Sequence, residues 1–129
     1  LGTSIGAALL AVHRCYLPDV GHLRSEGVTI KGLAHITGGG VIDNLPRILP
    51  DGVGATIQHG SWTVPPIFEL IQALGQISTD ELYRVFNMGL GMLLVIAPDD
   101  ADRVEQTLAD AKRVGHIIRG NKQVQFEEA

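Results

Sequence analysis

Three consecutive glycines, Gly38, Gly39 and Gly40, close a stretch of β-forming residues and constrain this chain more than any other feature. Lacking a Cβ, glycine takes positive φ without steric cost and lets backbone come close to other groups, but it weakens any helix or strand it interrupts. The triad therefore reads as a turn that leaves the strand before it. Before it, Val28 to Ile36 opens with alternation, Val28 and Ile30 against Thr29 and Lys31, and runs into Leu33, Ala34 and Ile36. That pattern predicts a strand leading straight into the turn. After it, Asp43 to Leu49 is a short helix at most, because Pro50, Asp51 and Gly52 signal a turn. Such a triad has two readings. It aligns successive N–H groups as a concave donor array for an anion or a carbonyl, with the positive end of the following helix beside it, or it only lets two elements pack closely.

The remaining segments alternate between helical and extended patterns. From Thr3 to Tyr16, Ile5, Leu9, Val12 and Tyr16 share a helical face with Ala8, with Thr3 or Ser4 available as N-cap; this predicts a helix ending before Pro18. Val53 to Gln58 reads as a second strand. Pro65 and Pro66 suit a first helical turn, Ile67, Leu70, Ile71 and Leu74 recur at i, i+3, i+4 and i+7, and Gly75 offers a stop. Ser78 and Glu81 have capping-box spacing and open a helix through Leu82, Val85 and Phe86. Gly91 to Ala97 is almost wholly apolar, as expected of a central strand covered on both faces. Pro98, Asp99, Asp100 and Asp102 crowd the start of a helix with the stripe Ala101, Val104, Leu108 and Ala111, and Lys112 and Arg113 stand at its end. Both charge biases favour the helix dipole. Val114 to Arg119 and Lys122 to Phe126 flank Gly120 and Asn121, a two-residue hairpin turn, with Val124 and Phe126 on one face and Gln123 and Gln125 on the other. The sum is an α+β domain: a layered, mixed sheet of four or five strands flanked by helices, with β-α-β-β order in its last third.

Composition removes several function classes. A chain of 129 residues, 45% hydrophobic and 19% charged, is large enough for one compact core. Ten Lys and Arg are scattered among fourteen Asp and Glu for a net charge of −4, without the basic stripe that nucleic-acid binding needs. The longest apolar run, Leu90 to Ala97, is far below the roughly 18 residues of a membrane span. Cys15 is the single cysteine, so no internal disulfide or CxxC zinc site is available, and a reducing cytoplasm is the expected compartment. The chain opens on Leu1 with no signal-peptide composition, and reads as a piece of a longer polypeptide.

The residues able to do chemistry gather around the triad. His35, Thr37, Gly38, Gly39, Gly40, Asn44 and Arg47 fall between positions 35 and 47. An imidazole donates, accepts or carries a proton near neutral pH, and a guanidinium fork suits phosphate or carboxylate. Elsewhere, His13, His22, His59 and His116 lack the i, i+4 pairing of a helical metal site. Cys15 reads as a small buried hydrophobe, and Asp99, Asp100 and Asp102 as ordinary first-turn acids. No metal ligand is expected, and Trp62 is open between a surface plate and a packing lid.

His35-Ile36-Thr37-Gly38-Gly39-Gly40, with Asn44-Leu45-Pro46-Arg47 and Leu49-Pro50, closely resembles the second-domain signature of the aminoimidazole ribonucleotide synthetases, also called phosphoribosylformylglycinamidine cyclo-ligases. Tyr83-Arg84-Val85-Phe86-Asn87-Met88-Gly89-Leu90-Gly91-Met92 is similar to the family's stretch from a helix into its buried strand. Arg14 and Tyr16 resemble an Arg-x-Tyr of that family, although His13 stands where threonine is usual. Selenophosphate synthetase, the hydrogenase maturation factor and thiamine-monophosphate kinase carry different residues around the glycine turn.

The resemblance implies that residues 1–129 are a C-terminal domain of this family, partly ferredoxin-like in topology, without the Ser-Gly-x-His-Ser-Asn-Gly motif and without the ATP-site N-terminal domain. It implies ring closure of formylglycinamidine ribonucleotide to aminoimidazole ribonucleotide in purine biosynthesis. Phosphoryl transfer to the formamide oxygen makes it a leaving group, and the amidine nitrogen then attacks. ATP and Mg2+ would be bound mainly by the N-terminal domain, the intact protein would be a homodimer, and this piece alone would be inactive. Among its own residues His35 is the catalytic candidate, in a role open between acid or base and positioning. Thr37, Gly38, Gly39, Gly40, Asn44 and Arg47 are the substrate-binding candidates, with Asn87, Gly89 and Gly91 beside them. Two alternatives stand: a non-catalytic metabolite-binding or assembly domain, and another ATP-using enzyme of the superfamily such as formylglycinamidine ribonucleotide synthetase.

Overall fold

The computed structural model describes residues 1–128. Its first segment departs from the helical pattern. Only α1 (Ile5–Leu9) is helical, capped by the Ser4 hydroxyl accepting from the Ala7 N–H. None of its residues is buried, and Leu10 and Val12 beyond it are 82% and 94% exposed. A short helix draws its stability from packing one face. This one has little to pack against, so residues 11–16 run without regular structure. Pro18 then begins a helix as well as barring one: α2 (Leu17–Ser25) carries it in its first turn and buries Leu23 completely.

The predicted strand forms as β1 (Ile30–His35), with Ala34 buried and Lys31, Leu33 and His35 outward. The glycine turn leads into α3 (Gly40–Asn44), continued by a 3-10 turn over Leu45–Ile48. β2 (Val53–His59) follows, then α4 (Pro66–Gly75), which ends on Gln76 in the left-handed region. In α5 (Thr79–Val85) the Ser78 hydroxyl accepts from the Glu81 N–H, as the capping spacing predicts. β3 (Met92–Ile96), α6 (Ala101–Thr107), β4 (Gly115–Arg119) and β5 (Val124–Glu128) complete the chain. None of these helices is long and apolar enough to cross a membrane.

The fold is α+β, but its five strands divide between two sheets where one was expected. β1 and β3 form an antiparallel ribbon with His35 opposite Met92 and Ile30 opposite Ile96. β3 is thus not a central strand. Its apolar run has another cause: Leu93 packs into a core with Ala34, Ile36, Val41, Leu45, Leu49, Ala55 and Ile57, whereas Leu94 and Ile96 face a second core of Leu23, Val28 and Val104. The strand buried deepest is β2, with Gly54, Ala55, Thr56 and Ile57 all inaccessible.

The expected hairpin is opened by that same strand. β4 and β5 do not pair; β2 lies between them, antiparallel to β4 and parallel to β5. The Gly120–Asn121 turn passes over the start of β2, where Gly120 and Lys122 donate to the carbonyls of Gly52 and Val53. Gly54 permits the crossing, since a Cβ there would meet the Gln123 carbonyl at 2.8 Å. Val124 and Phe126 do share the core-facing side.

Candidate functional site

β1 delivers its last residues into a turn whose backbone is mostly spoken for. Gly39 and Gly40 have φ of 95° and 58°. The Gly39 N–H donates to the Val85 carbonyl at 3.3 Å, and the Gly40 N–H to the Thr37 carbonyl at 3.1 Å. A Cβ on Gly40 would lie 2.3 Å from the Tyr83 carbonyl oxygen and 2.8 Å from that of Phe86. These two glycines therefore serve the close approach of the turn to the end of α5. Of the three glycine amides expected to form the array only that of Gly38 stays open; it and the neighbouring Thr37 N–H are exposed and have no partner among the described residues. The helix end expected beside them belongs to α3, only five residues long.

Asn44 fastens the turn from inside. Its side chain is 5% exposed, and its Nδ2 donates to the carbonyl of Gly40 at 2.7 Å, with longer contacts to Gly38 at 3.2 Å and Thr37 at 3.4 Å. Its Oδ1 accepts from the Thr37 hydroxyl at 3.4 Å. An amide engaged on this scale builds the loop and has little left for a ligand. Arg47, by contrast, is exposed on the 3-10 turn and has no ion-pair or hydrogen-bond partner among the described residues.

The second glycine-rich stretch comes to the same end of the molecule. The Ile36 N–H donates to the Gly91 carbonyl at 2.9 Å, directly beyond the His35–Met92 pair. Asn87 Oδ1 accepts from the Gly89 N–H at 3.0 Å, a local turn bond. Gly89 has φ of 93° and lies against Pro65, and Gly91 leaves room for the Tyr16 hydroxyl, which a Cβ would strike at 2.1 Å. Trp62, open in the sequence, is a packing residue: its indole N–H donates to the carbonyl of buried Met88 at 2.9 Å. Segments 35–47 and 87–91 are thus one unit, with Asn87, Gly89 and Gly91 shaping its floor.

His35 projects from the outward face of β1 into an open groove of about 350 Å³, bounded by Tyr16, Leu17, Leu33 and Met92 and by His13. His13 is the residue that spacing missed. The absence of i, i+4 spacing leaves it without a partner in the sequence; in the irregular segment 11–16 its Nε2 lies 3.0 Å from His35 Nε2. The neighbouring Arg14 is held by Asp19 and Asp110, each at 3.0 Å. The hydrogen bond to Asp19 leads in raising its pKa, followed by opposition from desolvation and support from Asp110. Across the turn, burial pushes the Tyr83 phenol up, and Glu128 adds to it. Cys15 is exposed, against the expectation of burial, because the segment that carries it is not a packed helix. Among the described residues no three His, Cys, Asp or Glu side chains converge as a candidate metal site.

Comparison with known proteins identifies the family of the chain. A family described as "AIR synthase related protein, C-terminal domain" matches residues 2–126. A phosphoribosylformylglycinamidine cyclo-ligase of Vigna unguiculata is 46% identical over 121 residues, covering 92% of this chain and 31% of that protein. Cyclo-ligases of a Thermoanaerobacter species and of Brevibacillus brevis are 45% and 44% identical, covering 92% and 98% of this chain and 34% and 37% of theirs. The chain therefore spans about a third of the length of these curated relatives. Among solved structures, E. coli HypE, a hydrogenase maturation protein, superposes with a TM-score of 0.66 at 21% identity over 92% of this chain and 39% of its own, a likeness of fold.

Proposed function

The chain belongs to the AIR synthase related proteins as their C-terminal domain, and we propose that it is the C-terminal part of a phosphoribosylformylglycinamidine cyclo-ligase. The observation that carries the reading is the meeting of two distant segments. The turn after β1 and the turn before β3, some fifty residues apart, are joined by the Gly39–Val85 and Ile36–Gly91 hydrogen bonds, and both belong to the stretches resembling the cyclo-ligases. In this proposal His35, Thr37, Gly38 and Arg47 face formylglycinamidine ribonucleotide. The exposed amides of Thr37 and Gly38 and the free guanidinium of Arg47 supply donors for its anionic or carbonyl groups. Gly39, Gly40, Asn44, Asn87, Gly89 and Gly91 hold those donors in place.

ATP and Mg2+ provide the phosphoryl transfer when bound, and we assign them to the preceding domain of a longer protein. Its homodimeric assembly and a cytoplasmic compartment belong to the same proposal. The closing of two triad amides by internal bonds favours one second reading, a metabolite-binding or assembly domain without chemistry.

One experiment separates the two. The chain is combined with a separately expressed ATP-site domain of a cyclo-ligase, and product formation dependent on ATP and formylglycinamidine ribonucleotide is followed. Arg47→Ala is expected to weaken substrate binding by about 1.5–3 kcal/mol, the loss of a charge-assisted hydrogen bond, or roughly 10- to 150-fold. His35→Ala is expected to lower turnover by about 100-fold if the imidazole transfers a proton. Full activity in both variants would refute the site, and binding of the ribonucleotide without turnover by the wild type would favour the second reading.

A further inference from the structure

His13 and His35 present their Nε2 atoms to each other at 3.0 Å, with ring centroids 4.8 Å apart and planes at 72°. Between two ring nitrogens a contact of this length holds one proton: one Nε2 donates it and the other accepts. Whichever ring donates, His35 Nε2 is occupied. Its Nδ1 has no partner among the described residues. His13 is itself well placed to hold a neighbour. The chain is pinned immediately after it, first by Arg14, bound to Asp19 and Asp110, and then by Tyr16, whose hydroxyl packs on Gly91. The Tyr16 ring stands edge-on to His13 at 5.9 Å. His35, exposed at a strand end beside Met92, has no other side-chain hydrogen bond among the described residues to fix its ring.

We propose that His13 is a positioning residue for His35: it occupies Nε2, fixes the tautomer and rotamer of the ring, and leaves Nδ1 as the atom presented to substrate in the groove. The proposal rests on the reading of His35 as a substrate-facing group. A ring left with two open nitrogens would turn between rotamers and tautomers. A ring with one nitrogen tied offers the reactant a single atom in a single orientation, the form in which a general acid, base or donor is effective.

Two measurements test it. In the 15N-labelled chain, the two Nε2 resonances are expected to differ, one protonated and one bare, with a scalar coupling across the shared proton. His13→Ala should return His35 to a solvent-averaged tautomer. Absence of the coupling, with the His35 tautomer unchanged in His13→Ala, would overturn the proposal whatever the protein's activity. In the reconstituted cyclo-ligase, His13→Ala is expected to lower kcat about 5- to 20-fold with KM within about twofold, and His13→Gln to recover most of it, because the amide can donate or accept as the imidazole does. A raised KM at unchanged kcat, or Gln as impaired as Ala, would overturn it too. An intact coupling together with a fully active His35→Ala would show that the histidine pair exists but that the substrate role assigned to His35 is wrong.

Discussion

Replacing Gly40 by Ala is the sharpest test of how the site is built. At a φ of 58° the residue lies in the left-handed region, where an L side chain costs about 1–2 kcal/mol. The new Cβ would also sit 2.3 Å from the Tyr83 carbonyl oxygen and 2.8 Å from the Phe86 one. Both neighbours are backbone at the end of α5, so no rotamer change relieves them, and overpacking of this kind costs about 1–3 kcal/mol. Alanine returns about 0.4–1 kcal/mol by restricting the unfolded chain. The balance is a loss of about 2–4 kcal/mol. With a urea slope of roughly 1.5–2 kcal/mol per molar for a chain of this size, the midpoint should fall by about 1–2.7 M at unchanged slope. Gly38→Ala is the internal control. Its φ is not positive and nothing lies within 4 Å of its Cβ position, so its stability should stay within about 0.5 kcal/mol of wild type. Urea unfolding followed by the fluorescence of Trp62, the only tryptophan, reads both variants. If Gly40→Ala proved as stable as wild type, or Gly38→Ala as damaging as Gly40→Ala, the account of the turn as a close-packed joint would be wrong.

Two further outcomes follow from the same geometry. Asn44→Ala leaves the Gly40 carbonyl, and the weaker contacts to Gly38 and Thr37, without their buried donor and should cost about 2–3 kcal/mol. Asn44→Asp should cost more, because a carboxylate faces carbonyl oxygens it cannot bond; a denaturation midpoint equal to wild type in either would contradict the clamp. Tyr83 titrates above its ordinary value of 10.0 in the folded chain, chiefly through burial and then through Glu128. Between the unfolded and folded pKa the unfolded state binds fewer protons, so stability falls as pH rises past about 10. Tyr83→Phe should flatten this alkaline loss relative to wild type, and identical pH profiles would show that the phenol plays no part in it.

The recognisable motifs carried more weight than the periodicities. Ser78 with Glu81 capped α5, and the diproline with its i, i+3, i+4 and i+7 stripe formed α4, because caps and stripes act within a single turn or two of backbone. The same stripe at residues 5–16 produced only five helical residues, since Ile5, Leu9 and Val12 stay at least half exposed and bury little surface. Position decided that, and position is not written in spacing. His13, without i, i+4 spacing to a partner, was missed as well. The rest of the candidate site was legible as a window, 35–47, but the division of labour inside that window was not. Asn44 and Arg47 are both polar residues three positions apart, yet one side chain is folded into the loop and the other stands in solvent.

The amino-acid sequence by itself determined that this chain is α+β, where its five strands lie to within a few residues, that a glycine turn follows the first of them, and which family its motifs resemble. These follow from forces that act between near neighbours along the chain: steric limits on φ, capping, and the alternation of apolar residues. Only the tertiary structure decided that β2 splits the expected β4–β5 hairpin, that β3 gains its two covered faces from two separate cores, and that the amides of Gly39 and Gly40 are closed. Each of those depends on a partner from a distant part of the chain, such as the carbonyl of Val85 for Gly39. A backbone donor is the same in every residue but proline, so nothing in its sequence reveals which distant acceptor it will meet.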